Sequence, residues 1–290
     1  TEFEIEDQLA AARCSTVLSK KEFIGRIKNA GRKIIKYPFE IEVDNSFTGF
    51  KEIKVNDLAV IIFTSGSAIK SKGIVHTFNS LYNSAINSNQ LLRYTHSDRW
   101  LASLPFYHIG GFSIITRSLL FRIPLIIPDS LSIEDLKTAL NKWQPTFISL
   151  VTAQLKRFID DKMSPNPELK NCLIGGGFSD YELIREAIEL SWPVNIVYGS
   201  TETSSFVTAL LKDEIIFKPN SVGQAVPTNM IFILDSEGNE MKPFEVGEIV
   251  IQSNSLMSGY LNPLQTDEVI KNGFYYTNDF GFLDEDGYLF

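Results

Sequence analysis

The segment from Phe63 to Gly73, FTSGSAIKSKG, collects the groups that phosphate binding uses. Thr64, Ser65 and Ser67 offer hydroxyls, Gly66 lets backbone N–H groups approach an anion, and Lys72 adds an ammonium. The apolar run Leu58 to Phe63 precedes it, so the loop should leave the end of a buried strand. It is not a Walker loop. In the pattern G-x-x-x-x-G-K-[ST], counting on from Gly66 puts Ser71 where the second glycine belongs, followed by Lys72 and Gly73. Taken alone, the segment reads equally well as a solvated surface loop.

Three further motifs follow it in order: LPFYHIGG from Leu104 to Gly111, YGSTET from Tyr198 to Thr203, and GFYYTND from Gly273 to Asp279. Between them lie Gly175-Gly176-Gly177, SVGQAVP from Ser221 to Pro227, Gly247-Glu248-Ile249 and Gly259-Tyr260. Together these resemble the core motifs of the adenylate-forming superfamily, which includes acyl- and aryl-CoA ligases, luciferases and the adenylation domains of peptide synthetases. The resemblance covers Leu58 to Phe290. Within it, Trp100 to Leu120 and Ile148 to Leu155 are most similar to o-succinylbenzoate-CoA ligases of menaquinone synthesis.

The resemblance implies a reaction and a set of roles. A carboxylate attacks the α-phosphorus of ATP in line, pyrophosphate leaves, and the acyl-adenylate passes to a thiol such as coenzyme A. Catalysis is then chiefly positioning and charge neutralisation. Glu202 is the expected magnesium ligand, since hard carboxylate oxygen suits that ion. Thr201 should contact the α-phosphate, and Tyr198, with Gly199 and Ser200, should sit against the nucleotide. Gly175, Gly176 and Gly177 would let the backbone approach the base, and Asp279 would hold the ribose hydroxyls. His108 takes the place beside the acyl carboxylate. Without the motif, Glu202 would read as a solvated loop acid and His108 as a structural histidine. Arg117 falls four residues after Ser113, so both would share one helix face. The second carboxylate of o-succinylbenzoate would suit Arg117, although an ordinary helix-surface arginine fits the spacing equally well.

Two departures matter. The superfamily's first loop usually reads TSG-[ST]-TG-x-PKG, whereas Ala68-Ile69 and Ser71 replace Thr-Gly and Pro here. If that glycine needs positive φ, Ile69 carries a penalty on the order of 1–2 kcal/mol. Asn278 replaces the glycine of the usual T-G-D, a milder change, because asparagine tolerates the left-handed region. The sequence ends at Phe290 without the hinge and lysine-bearing C-terminal domain of the family, so a truncated form, weak or inactive alone, is expected.

The elements that must position these residues alternate. Strand signals at 58–63, 100–104, 124–127, 146–151, 171–174 and 195–198 are separated by helical patterns at 78–92, 111–121, 133–143, 153–161 and 180–190. This order predicts an α/β fold with largely parallel sheets covered by helices. Beyond Phe206 short strand-like runs at 230–234, 247–251, 274–277 and 288–290 predict a smaller antiparallel β-rich subdomain. The expected division is therefore 1–206 for nucleotide and acyl binding and 207–290 for the β-rich part. In the first fifty residues the one amphipathic helix candidate is Lys20 to Lys33.

Composition narrows the partners. A formal net charge of -8 argues against nucleic acid. The two cysteines, Cys14 and Cys172, have no metal or redox spacing and read as small thiols. No apolar run reaches the ~20 residues of a membrane span, and the acidic start Thr1-Glu2-Phe3-Glu4 is unlike a secretory signal, so the cytoplasm is expected. A homodimer is left open. There is no G-x-S-x-G elbow, zinc histidine pair or Rossmann glycine fingerprint to support another chemistry.

Overall fold

The computed structural model describes residues 1–27, 31–38, 52–64, 71–178 and 180–290. The chain opens with α1 (Glu2–Ala11), whose Thr1 and Glu4 form a capping box. The parallel pair β1 (Thr16–Lys20) and β2 (Lys33–Tyr37) follows, with a short 3-10 turn, Lys21–Arg26, between them. The helix expected over Lys20 to Lys33 is therefore wrong. Of its described residues, Lys21–Arg26 form that turn and Lys33 opens β2, and the helix stands earlier, where the capping signal lies.

Next come β3 (Leu58–Thr64), β4 (Lys72–Thr77) and α2 (Phe78–Leu92). The strand at 58–64 does not join a parallel sheet. It pairs antiparallel with β4, Thr64 opposite Lys72, and the phosphate-type segment falls between these two strands in the sequence. Thr77 caps α2 by accepting from the Ser80 amide, which turns the chain at once from strand to helix.

The main body alternates strand and helix: β5 (Trp100–Leu101), α3 (Ile109–Phe121), β6 (Leu125–Ile126), α4 (Ile133–Trp143), β7 (Phe147–Leu150), α5 (Thr152–Asp160), β8 (Asn171–Ile174), α6 (Tyr181–Glu189) and β9 (Val194–Tyr198). The sheet is completed by β10 (Thr208–Leu210) and β11 (Gln224–Ala225), in the order β11-β10-β9-β8-β7-β5-β6. Strands β6, β5, β7, β8 and β9 are parallel, and the last two at the other edge antiparallel. The sheet thus runs past position 206, where the sequence suggests a division.

Alternation along the strands explains the burial. Ile148, Leu150, Cys172 and Ile174 pack with Leu136, Leu155, Phe158 and Ile184 of α4, α5 and α6. Phe147 and Leu173 point the other way, into a second core with Leu92 of α2 and Ile114 of α3. Apolar residues on both faces are what a sheet covered by helices on both sides requires.

The rest is antiparallel. The strands β12 (Met230–Leu234), β13 (Gly247–Gln252), β15 (Ile270–Lys271) and β16 (Phe274–Gly281) form a sheet in the order β12-β13-β16-β15. Strand β14 (Gly259–Tyr260) joins the outer edge of β4, and α7 (Pro263–Val269), with Asn262 as its cap and Pro263 in its first turn, follows it. The strand expected at 288–290 reduces to isolated bridges from Leu289 to Gly223 and Leu283. Among the described residues no helix is long and apolar enough to cross a membrane.

Candidate active site

Four parallel strands end at one rim, and two cavities open there. Ligands of open α/β sheets bind at the carboxyl ends of the strands. The first cavity, about 410 Å³, is walled by Leu104 and Pro105 after β5, by Val151 after β7, by Gly175 and Gly176 after β8, and by Gly199 to Thr201 after β9. The start of α3 closes one side with His108 to Gly111, at the helix end where the first backbone amides have no partner inside the helix. His108 is exposed at the mouth, its ring 4.6 Å from that of Tyr107.

Ser113 and Arg117, one turn apart on α3, both line this cavity. Ser113 donates to the Gly110 carbonyl at 2.8 Å. Arg117 is 2% exposed and lies 5.5 Å from the Trp100 ring centroid and 5.4 Å from that of Phe206. The surface-arginine alternative is excluded by this burial. Its Nε and Nη2 have no hydrogen-bond partner among the described residues, and burial pushes its pKa down. A buried guanidinium without a carboxylate costs several kcal/mol; an anionic group of a ligand in the cavity would offset that.

The second cavity, about 550 Å³, lies on the other side of β9 and includes Gly176, Gly177, Tyr198 and Asp279 in its wall. Tyr198 donates to Asp279 Oδ2 at 2.7 Å, which ties β9 to β16 across the opening. Burial, and after it the Asp279 carboxylate, raise the Tyr198 pKa, so the phenol stays a neutral donor. Asn278 has φ 60°, the left-handed conformation that the glycine it replaces would adopt without cost. The two cavities share Gly176, Val197 and Gly199. A single ligand with an acyl part and a nucleotide part could cross at that waist.

Glu202, Thr64 and Lys72 line neither cavity. Glu202 follows Thr201 in the turn after β9 and is half-buried. Its Oε1 accepts from the Tyr260 hydroxyl at 2.9 Å, and its carbonyl accepts from the Met257 amide at 2.7 Å. No hydrogen bond from the described residues reaches Oε2. Thr64 and Lys72 face each other at the base of the hairpin, and Lys72 Nζ lies 5.0 Å from the Tyr260 ring centroid. Ser65, Gly66 and Ser67 lie outside the described residues, as do Ala68 and Ile69.

A magnesium site fits this donor set. Among the described residues no three His, Cys, Asp or Glu side chains gather to form a full cage. One carboxylate with a free oxygen, completed by phosphate oxygens and water, is how magnesium is usually held.

Two residues near the site were not legible as such. Tyr260 stands 58 positions from Glu202, and no spacing rule joins them. His76 looks unrelated to the chemistry in sequence but is fully buried beneath the same turn, its Nδ1 3.1 Å from Ser204 Oγ.

Comparison with known proteins agrees with this geometry. The family model described as "AMP-binding enzyme" matches residues 1–261. The 2-succinylbenzoate--CoA ligase of Geobacillus sp. (strain WCH70) is 30% identical over 293 residues, covering 100% of this chain and 59% of that protein. That of Bacillus velezensis is 32% identical over 239 residues, covering 82% and 49%. The chain thus spans about half to three-fifths of these relatives. Among solved structures, o-succinylbenzoate coenzyme A synthetase from Bacillus subtilis with ATP and magnesium ion superposes with a TM-score of 0.90 at 28% identity, over 100% of this chain and 61% of that one. The same enzyme with the acyl-adenylate intermediate OSB-AMP also gives 0.90, at 28% identity, over 100% and 60%. A strand rim with two joined cavities, the ordered motifs around it and a family match over most of its length together make this chain a member of the AMP-binding enzyme family.

Proposed function

We propose that this chain is the nucleotide- and acyl-binding part of an ATP-dependent ligase that activates o-succinylbenzoate and joins it to coenzyme A. The observation that carries the reading is the junction of the two cavities at Gly176, Val197 and Gly199, with Asp279 at the nucleotide side and, at the acyl side, Arg117, whose Nε and Nη2 have no hydrogen-bond partner among the described residues. Arg117, with Ser113 beside it, would take the second carboxylate of the acid, leaving the reacting carboxylate near His108 and the α3 amides. Tyr198 and Asp279 would hold adenosine, and Thr201 at the cavity wall would meet the α-phosphate. The phosphates would then lie toward Thr64, Lys72 and Glu202, and Glu202 would hold a magnesium ion whose contribution there would be charge neutralisation.

In that arrangement a carboxylate oxygen bonds to the α-phosphorus while the bond to pyrophosphate breaks. Coenzyme A thiolate then attacks the acyl carbon, and AMP leaves. Positioning contributes most of the acceleration. The reaction would need a compartment that supplies ATP and coenzyme A, which the cytoplasm does.

Acid-dependent exchange of labelled pyrophosphate into ATP tests the reading, measured on the chain and on the chain extended to the length of its relatives. o-Succinylbenzoate is expected to support exchange at least tenfold better than benzoate. Equal exchange with every acid would remove the narrow substrate. The Ala68-Ile69 replacement favours a second reading, a nucleotide-binding module without catalysis. Nucleotide binding without exchange for any acid in the extended chain would support it.

A further inference from the structure

Tyr260 occupies a position that packing alone does not explain. Its backbone is held on two sides: β14 pairs with β4, placing Tyr260 opposite Ile74, and the Thr266 hydroxyl accepts from the Tyr260 amide at 2.8 Å. Gly259 before it has φ +147°, and any Cβ there would crowd the Thr266 side chain, so the entry to this residue is fixed as well. The ring is 7% exposed, within a core that includes Ile74, Val207, Ile251 and Met257. A core of this kind could hold phenylalanine. Within that core the hydroxyl meets the Tyr275 side chain.

That hydroxyl donates to Glu202 Oε1 at 2.9 Å. Burial, and next the Glu202 charge, raise the Tyr260 pKa, so the phenol remains a donor. The same short segment also fixes Glu202 through its backbone, by the Met257 amide. It reaches the hairpin strand too, through Ser258 N to Val75 O at 2.8 Å and Leu261 N to Gly73 O at 2.8 Å. Lys72 stands over the Tyr260 ring. One side chain therefore touches both the carboxylate and the lysine that flank the phosphate region, from opposite parts of the sequence.

We propose that Tyr260 is a positioning residue for the metal carboxylate: its hydroxyl fixes one oxygen of Glu202 and reserves the other for the cation. The proposal rests on the reading of Glu202 as the magnesium ligand. A glutamate has three side-chain torsions, and a charge-assisted hydrogen bond to one oxygen removes most of that freedom before the ion arrives. The ring face keeps Lys72 in the same frame by a cation–π contact. Tyr260 touches neither the nucleotide nor the acid in this account, so its effect should appear in the metal dependence of binding.

Calorimetric titration of ATP into the chain over a magnesium series reads this directly, with no turnover needed. Tyr260→Phe keeps the ring, the packing and the Lys72 contact. It is expected to raise the magnesium concentration for half-maximal ATP binding about tenfold, with AMP binding in EDTA and Tm unchanged. Glu202→Gln is expected to raise it at least as far, and the double variant no further than Glu202→Gln, because the two side chains act as one unit. If Glu202→Gln raises the requirement and Tyr260→Phe does not, the positioning role is overturned and the metal reading stands. If Glu202→Gln leaves the requirement unchanged, the metal reading falls and this inference with it. Loss of folding in Tyr260→Phe also contradicts the proposal, by assigning the hydroxyl to the core.

Discussion

Arg117 concentrates the conflict between stability and function in one side chain. It is buried, its Nε and Nη2 have no hydrogen-bond partner among the described residues, and its guanidinium lies against the Trp100 and Phe206 rings. Replacing a buried charge by an apolar side chain of similar length is often neutral or stabilising, and sites carry such costs when a ligand uses them. Arg117→Leu is therefore expected to keep or raise Tm, while affinity for o-succinylbenzoate falls about 10- to 100-fold, the loss of a charged hydrogen bond of roughly 1.5–3 kcal/mol. Thermal denaturation and acid titration together check this. A fall in Tm with unchanged acid binding would make Arg117 structural. The sequence placed this arginine on the face of Ser113 and could go no further, because whether a helix face looks to solvent or to a cavity is decided by what packs opposite. Gly259-Tyr260 stood among the motif segments, but the partner of Tyr260 was beyond sequence reasoning for a similar reason: it is set by the pairing of β14 with β4, which no local pattern encodes.

At the scale of elements, the turns after the strands carry the site, and their tightness is measurable. A Cβ on Gly199 would overlap the Ser205 carbonyl, and the turn from 199 to 205 closes through Ser205 N to Ser200 O at 3.0 Å. Gly199→Ala must open this turn, displacing Thr201 from the cavity wall and shifting Glu202 beside it. Its expected result is a loss of ATP affinity of more than tenfold, together with a stability loss of roughly 1–3 kcal/mol, read by calorimetry and urea unfolding. Gly25→Ala, in open space without positive φ and in the wall of neither cavity, is the matched control. Elements with strong periodicity were legible: α2, α4, β8 and β12 have the limits that their patterns suggest. Apart from α1, those missed are short or set by partners. Strands β10, β11, β14 and β15 have two or three residues each, too few for a period to show, and β4 was hidden because the hairpin puts half-buried Lys72 at its start. The cap-and-proline start of α7, Asn262-Pro263, was a readable signal that was passed over.

For the molecule as a whole, β9 joins the chemistry to the fold, with cavities on both sides and His76 beneath its turn. Burial pushes the His76 imidazole down to about 4. In the unfolded chain it would titrate near 6.5, so between these values the unfolded state binds the extra proton and stability rises with pH. The stability tied to neutral His76 is complete above about pH 6.5 and is lost as pH falls toward 4. Between pH 7 and pH 5 the loss is about 2 kcal/mol. Urea unfolding of wild type and His76→Asn at both values isolates it: the variant should lack this part of the acid sensitivity, and parallel losses in both proteins would contradict the assignment. The α/β class and the late antiparallel region were visible in the alternation of patterns. The placement of β10 and β11 on the main sheet was not, since it depends on antiparallel pairing with β9.

The central claim is that the two cavities form one site for an acyl-adenylate. It is tested most directly by titrating the chain with a stable sulfamoyl mimic of o-succinylbenzoyl adenylate, with AMP and the free acid measured separately. Linked halves that both engage should bind at least a hundredfold more tightly than the better half alone, with most of that gain absent in Arg117→Leu. A mimic that binds no better than AMP would contradict the joined site and confine ligand recognition to the nucleotide cavity.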